Sequence, residues 1–203
     1  MKQDPYLAYT LRFFGRWARL YDLFGLGVLP VYRKAARLAC ADGGRVLDLA
    51  TGTGAVASRC VGRAGRLVGL DYTPAMLRQA RAKLPPGSCR FLLGDGRHLP
   101  FDDSSFDVVV ISFALHDMPQ AVRLEVLGEA ARVAPRLVVA DYDADTASLW
   151  GKIGVGLLRQ VESPYFPGFL KRGGEAILRE AGRSPELRFR WLGLASVWEA
   201  KLP

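Results

Sequence analysis

Cysteine and histidine are scarce in this chain. Cys40, Cys60 and Cys89 are odd in number and far apart, and only His98 and His116 accompany them. Neither a disulfide framework nor a metal-binding spacing can be drawn from so few residues. Buried thiols in a reducing compartment follow. Long apolar runs are missing too. The greasiest stretch near the start, residues 20–32, is broken by Asp22, Gly25, Gly27 and Pro30 and is too short to span a bilayer. The opening MKQDPYLAYT carries no apolar core of the signal-peptide kind. The expectation is a cytoplasmic protein without a transmembrane segment, with peripheral membrane contact left open.

Blocks of five or more like charges are also absent. The net charge is +8, from 28 Lys plus Arg against 20 Asp plus Glu, yet the basic residues are spread along the whole chain. Most are arginines two to four positions apart in helical patterns, which reads as solvated helix faces rather than a nucleic-acid footprint. No repeat or low-complexity segment occurs. What is there is ordinary for a globular protein: 203 residues, half of them hydrophobic and 24% charged, enough for a single α/β domain.

Two helices are expected first, over residues 6–21 and 28–40, parted by a flexible turn at 24–30. Short apolar runs then alternate with amphipathic stretches. The runs cover residues 45–50, 66–70, 90–93, 106–112 and 136–140, and the helical stretches 54–62, 74–83 and 119–133. Apolar runs of this kind, buried on both faces and alternating with helices, predict parallel βαβ units. Right-handed crossovers then give an open sheet covered on both sides. Near the end, a helix over 171–181 precedes two extended segments, 186–191 and 195–201, joined by Leu192-Gly193-Leu194. So short a link permits only an antiparallel hairpin. The predicted fold is a doubly wound, Rossmann-like, mostly parallel seven-stranded sheet with one antiparallel strand near the C-terminus. Residues 1–40 are expected to form a helical lid and 41–141 the ligand-binding core. Residues 142–203 would supply a site-covering segment, a helix and the hairpin.

The most informative segment runs from Val46 to Ala57, VLDLATGTGAVA, an apolar strand that enters a glycine turn and then a helix. Glycines there let backbone N–H groups approach a ligand. Gly52, Gly54 and Ala57 also fit the dinucleotide pattern. Asp48 separates the readings. A carboxylate four residues before the first glycine opposes a pyrophosphate and suits a cationic ligand with an amino group and a sulfonium, which is S-adenosylmethionine. Asp71 ends the second strand 19 residues after Gly52, where an acid can take both ribose hydroxyls. Its rival role, capping the next helix, is better filled by Thr73. Asp95 and Gly96 follow the third strand, where a carboxylate can accept from an adenine amino group.

Together these segments resemble the class I S-adenosylmethionine-dependent methyltransferases, in particular the branch of the ubiquinone/menaquinone-biosynthesis C-methyltransferases. The match runs from about Arg45 to Asp141, through DLATGTG, Gly69-Leu70-Asp71, Gly94-Asp95, Leu99-Pro100-Phe101 and Phe106-Asp107. It implies S-adenosyl-L-methionine as cofactor. Asp48, Ala50, Thr51, Gly52 and Gly54 would cradle the methionine part. Asp71 would hold the ribose, Tyr72 would pack on the adenine, and Asp95 and Gly96 would read its edge. Met76 and Ser112 complete the set. Tyr21-Asp22 resembles a Tyr-Asp pair found before the glycine loop in relatives and makes Tyr21 a candidate for the cofactor's carboxylate end.

Two departures stand out. The Pro-Gly-Gly turn of the family is replaced by Ala134-Pro135-Arg136, at the sheet edge away from the ligand. After the fourth strand the family carries Arg-Asn where this chain has His116-Asp117. The fold and cofactor carry over, and a quinone acceptor does not. The predicted reaction is in-line methyl transfer to a small lipophilic or aromatic acceptor, with the protein supplying alignment. His116 is the candidate base, since an imidazole titrates near neutrality; it reads equally as a structural histidine. No metal-ligand cluster accompanies it. The alternatives are a nicotinamide oxidoreductase, a nucleic-acid methyltransferase, and a binding protein that shares the fold.

Overall fold

The computed structural model describes residues 4–18, 21–143 and 163–201. Helix α1 (Pro5–Trp17) begins at Asp4, whose side chain accepts from the Tyr6 N–H. Short α2 (Tyr21–Phe24) leads through a 3₁₀ turn (Gly25–Val28) into α3 (Leu29–Ala39). The break at 24–30 is thus a tight helical turn, and Pro30 sits in the first turn of α3, where its missing N–H costs nothing.

The apolar runs form β1 (Arg45–Leu49), β2 (Arg66–Asp71), β3 (Arg90–Leu93), β4 (Val108–Ser112) and β5 (Arg136–Tyr142). They are joined in order β3-β2-β1-β4-β5-β7-β6, and the first five pair in parallel. β6 (Ser184–Trp191) and β7 (Ala195–Lys201) make the expected hairpin, with β7 antiparallel to both β5 and β6. The strand order reverses direction between β1 and β4, which places a crevice at their carboxyl ends.

α4 (Ala57–Cys60), α5 (Pro74–Lys83), α6 (Gln120–Val133), α7 (Phe166–Arg172) and α8 (Gly174–Glu180) complete the described helices. α3 and α4 pack on one sheet face, with Val31, Ala35 and Val56 against Val46, Val108 and Val110. α6, α7 and α8 pack on the other, with Val126, Leu127, Phe169 and Ile177 against Leu47, Val109, Leu137 and Trp198. Each fully buried Leu, Val or Ile side chain contributes about 1.5–3 kcal/mol. Valines on both faces of one strand therefore commit the central strands to a two-sided core.

Two helical expectations are revised. The stretch 54–62 is helical only over α4, because Gly54 (φ 77°) keeps the chain in a turn. The helix expected over 171–181 is split by Gly173, at φ 81°. Its neighbour Gly174 lies so close to the Trp198 ring that a Cβ there would come within 2.6 Å. Of the site-covering segment expected after Tyr142, residues 144–162 lie outside the described residues. Among the described residues no helix is long and apolar enough to cross a membrane.

Candidate functional site

The turn after β1 is shaped by two aspartates that never leave their strands. Asp48 is fully buried; its Oδ2 accepts from the Thr51 hydroxyl at 2.7 Å and from the Ala57 N–H at 2.9 Å. Burial outweighs these bonds and lifts its carboxyl to about 7. Asp71 accepts from the Gly52 N–H at 2.8 Å through Oδ2 and from the Thr73 N–H at 2.8 Å through Oδ1. Burial is again the larger influence, and its pKa is raised. Between them Ala50 (φ 56°) and Gly52 (φ 54°) adopt left-handed conformations. A Cβ on Gly52 would meet nothing within 4 Å, so the backbone there is open to a ligand.

This turn floors a cleft at the carboxyl edge of the sheet. Of the expected ligand residues, Ala50, Thr51 and Gly52 line it from the β1 turn. Asp71, Tyr72 and Met76 line it from the end of β2 and the start of α5, Asp95 and Gly96 from beyond β3, and Ser112 from β4. Three expected residues do not. Asp48 lies beneath the turn and braces it. Gly54 faces away, where a Cβ would press on Leu84 at 3.1 Å and Ala80 at 3.3 Å, so it serves helix packing. His116 is 2% exposed and stands behind the wall. The side chain of Tyr21 lies outside the described residues.

Sequence reasoning missed three contributors. Arg97 grips Asp95 with two nitrogens, at 3.0 and 2.7 Å to Oδ2, and reaches Asp4 Oδ2 at 2.8 Å. It therefore pins the cap of α1 to the turn after β3. The lowered pKa of Asp4 owes most to that bond; at Asp95 burial raises the pKa and Arg97 outweighs it. The second contributor is the inner face of α1, where Tyr6, Leu7, Thr10 and Phe14 form one cleft wall. The i, i+4 spacing of Tyr6 with Thr10 and of Thr10 with Phe14 is the signal; of the aromatic face that the N-terminal segment offers in sequence (Tyr9, Phe13, Phe14, Trp17 and Tyr21), Phe14 lines the cleft. Trp17 is 38% exposed, and the Tyr9 and Phe13 rings stack on one another. α2 is tied down as well, since Asp22 accepts from the Thr53 hydroxyl at 2.6 Å and from Lys83 at 2.7 Å.

The third contributor is Asp117, which lines the cleft where His116 was expected to. The 3₁₀ turn Leu115–Asp117 buries the imidazole between two carboxylates: Nδ1 is 2.7 Å from Asp141 Oδ1, and Nε2 is 3.2 Å from Asp117 Oδ2. Burial alone would lower the imidazole's pKa, but the two carboxylates prevail and raise it well above its usual value. Asp141 is saturated by backbone donors as well, from Leu115 (3.0 Å), His116 (3.3 Å) and Tyr142 (2.8 Å). Tyr142 and Phe166 close on the ring edge-on, and Arg123 donates to the carbonyl of Leu115 at 2.7 Å.

Residues 46–135 match a family model described as a methyltransferase domain. A demethylmenaquinone methyltransferase of Thermotoga maritima is 36% identical over 157 residues, covering 71% of this chain and 67% of the relative. One of Beutenbergia cavernae is also 36% identical, over 62% of this chain and 54% of the relative. The chain thus spans between about half and two thirds of the length of these curated relatives. Among solved structures, magnesium protoporphyrin IX methyltransferase of Synechocystis with bound SAM superposes over the whole of both chains with a TM-score of 0.68, at 16% identity. That likeness establishes the Rossmann-like fold. With a relative 36% identical and covered to 67% of its length, the chain belongs to the S-adenosylmethionine-dependent methyltransferases, in the branch of the demethylmenaquinone and ubiquinone/menaquinone C-methyltransferases.

Proposed function

We propose that this protein transfers the methyl group of S-adenosyl-L-methionine to a small lipophilic or aromatic acceptor held between α1 and the end of β4. The observation that carries the reading is the character of the cleft. Its described walls bear Asp71, Asp95 and Asp117 but no Lys, Arg or His. A pyrophosphate would find no cation there, whereas a sulfonium with an ammonium group meets acids and an open backbone at Gly52. The acceptor end is apolar, with Tyr6, Leu7, Phe14 and Met118 among its walls. An aromatic acceptor also agrees with the quinone-methylating names of the relatives.

In this reading Ala50, Thr51 and Gly52 receive the methionine portion, and Asp48 holds their turn in shape from below. Asp71 takes the ribose hydroxyls, Tyr72 and Met76 flank the adenine, and Asp95 with Gly96 meets its edge. Tyr21 stays the candidate for the carboxylate end. Ser112 stands beside the donated methyl, which the bound cofactor supplies on a positively charged sulfur. The protein's share is alignment and exclusion of water, an effect worth up to about 7–11 kcal/mol for well-oriented reactants. His116 contributes from behind Asp117 rather than from the rim. Residues 1–40 act as the lid, held by the Arg97 and Asp22 contacts.

Titration calorimetry with S-adenosylmethionine, its demethylated product and NADH tests this directly. Binding of the first two without NADH is expected; the reverse pattern overturns the reading.

A further inference from the structure

One carboxylate oxygen in the cleft wall is unaccounted for. Asp117 is 5% exposed, its Oδ2 is engaged by His116, and its Oδ1 is buried with no hydrogen-bond donor among the described residues. An unpaired buried carboxylate oxygen is costly, so the fold must hold it there against its preference for donors. The support is visible. Arg123, 3% exposed, donates to the carbonyl of Leu115 at 2.7 Å and to that of Tyr165 at 3.2 Å, which fixes the 3₁₀ turn. Asp141, with three N–H donors, orients His116 from the far side.

The surroundings say what this oxygen faces. Tyr6 of α1 lines the same cleft as Asp117, and the Asp117 charge adds to burial in raising the phenol's pKa. Ala114, Met118 and Val122 border it on its own side of the cleft. The other two acids of the cleft, Asp95 and Asp71, have donors on their oxygens within the fold and are assigned to the cofactor in the proposed function. Asp117 Oδ1 is thus the unsatisfied acceptor on a wall that is otherwise mostly apolar.

We propose that Asp117 is the residue that selects the methyl acceptor, taking a hydrogen bond from an O–H or N–H on an uncharged aromatic molecule and turning anionic acceptors away. The proposal rests on the methyltransferase reading of the cleft. Both imidazole nitrogens of His116 already face carboxylates, which makes His116 a positioning residue that holds Asp117. Where the donor atom is itself the nucleophile, its proton passes to Asp117 Oδ1 as the new bond to the methyl carbon forms. The sulfur–methyl bond breaks, its electron pair returns to sulfur, and the carboxylate ends as a neutral acid. Charge is balanced throughout, because the positive sulfur and the negative carboxylate are neutralised together.

The test uses the full chain loaded with S-adenosylhomocysteine and four probes of one shape: 4-propylphenol, 4-propylaniline, 4-propylanisole and 4-propylbenzoate. The phenol or the aniline is expected to bind at least about 10-fold more tightly than the anisole, the scale of one hydrogen bond to a charged group, with the benzoate weaker still. In Asp117→Asn the gap between donor-bearing probe and anisole should shrink to less than about 3-fold, and the benzoate should gain affinity. Wild-type protein that does not distinguish these probes overturns the proposal without recourse to any variant. A more than about 10-fold loss of S-adenosylhomocysteine affinity in Asp117→Asn would assign the oxygen to the cofactor and overturn it equally. Failure of wild-type protein to bind S-adenosylhomocysteine at all would instead strike the methyltransferase reading beneath it.

Discussion

The Asp71 carboxylate, at the tip of β2, accepts a hydrogen bond from the backbone N–H of Gly52 at 2.8 Å. The second strand therefore shapes the glycine turn that follows the first, and in the proposed function the same side chain also holds the ligand. Asp71→Ala should lower cofactor affinity by about 1–3 kcal/mol, the cost of losing a hydrogen bond to a charged group. It should also destabilise the apoprotein, since the N–H groups of Gly52 and Thr73 lose their acceptor. Calorimetry and thermal melts read the two effects separately. Unchanged affinity would remove Asp71 from the site.

Asp48 predicts a pH dependence. Its carboxyl is raised from 3.8 to about 7 in the folded protein, burial being the main cause. Between those values the native state holds a proton that the unfolded chain has lost, so this residue's contribution to stability falls as pH rises from about 4 to about 7, and levels off above. Asp48→Asn should flatten that part of the stability curve. Binding a cationic ligand close by favours the ionised form and releases a proton. The heat of cofactor binding at pH 7 should therefore vary with buffer in the wild type and not in the variant.

Arg97 links Asp95 to Asp4 and with it the start of α1 to the turn after β3, the proposed lid to the proposed adenine side. Arg97→Ala should cost little global stability, at most about 1 kcal/mol for pairs this close to the surface. Its effect should be local, as α1 becomes cleavable by protease and cofactor affinity falls. Deletion of residues 1–24 is the stronger form, and turnover should vanish with it. Full activity in the truncated protein would show that the segment is no lid.

Ala50 occupies a left-handed conformation at φ 56°, a region that favours glycine. For a residue with a Cβ that conformation costs about 1–2 kcal/mol, against about 0.5–1 kcal/mol for the added backbone freedom of glycine in the unfolded state. Ala50→Gly should therefore raise stability by up to about 1 kcal/mol, measured by urea denaturation. A clear loss would mean that the methyl group makes packing contacts worth more than the strain.

Much of this protein was legible in its sequence, for local reasons. Strands β1, β2, β4 and β5 announce themselves because burial on both faces demands apolar side chains at consecutive positions, and the β6–β7 hairpin because three residues cannot make a crossover. The order of glycine turn and acidic strand ends gave the cofactor, since each acid's place is set by the strand that precedes it. What tertiary structure alone decided is which members of a motif reach the ligand. Asp48 and Gly54 belong to the motif but turn inward, to the Thr51 hydroxyl and to Ala80. The pairing of Arg97 with Asp4 spans 93 residues and leaves no periodic trace. His116 and Asp117 are adjacent in sequence, so no pattern ranks one above the other; the 3₁₀ turn does, by rotating the imidazole back toward Asp141 at the end of β5 and leaving Asp117 at the cleft wall.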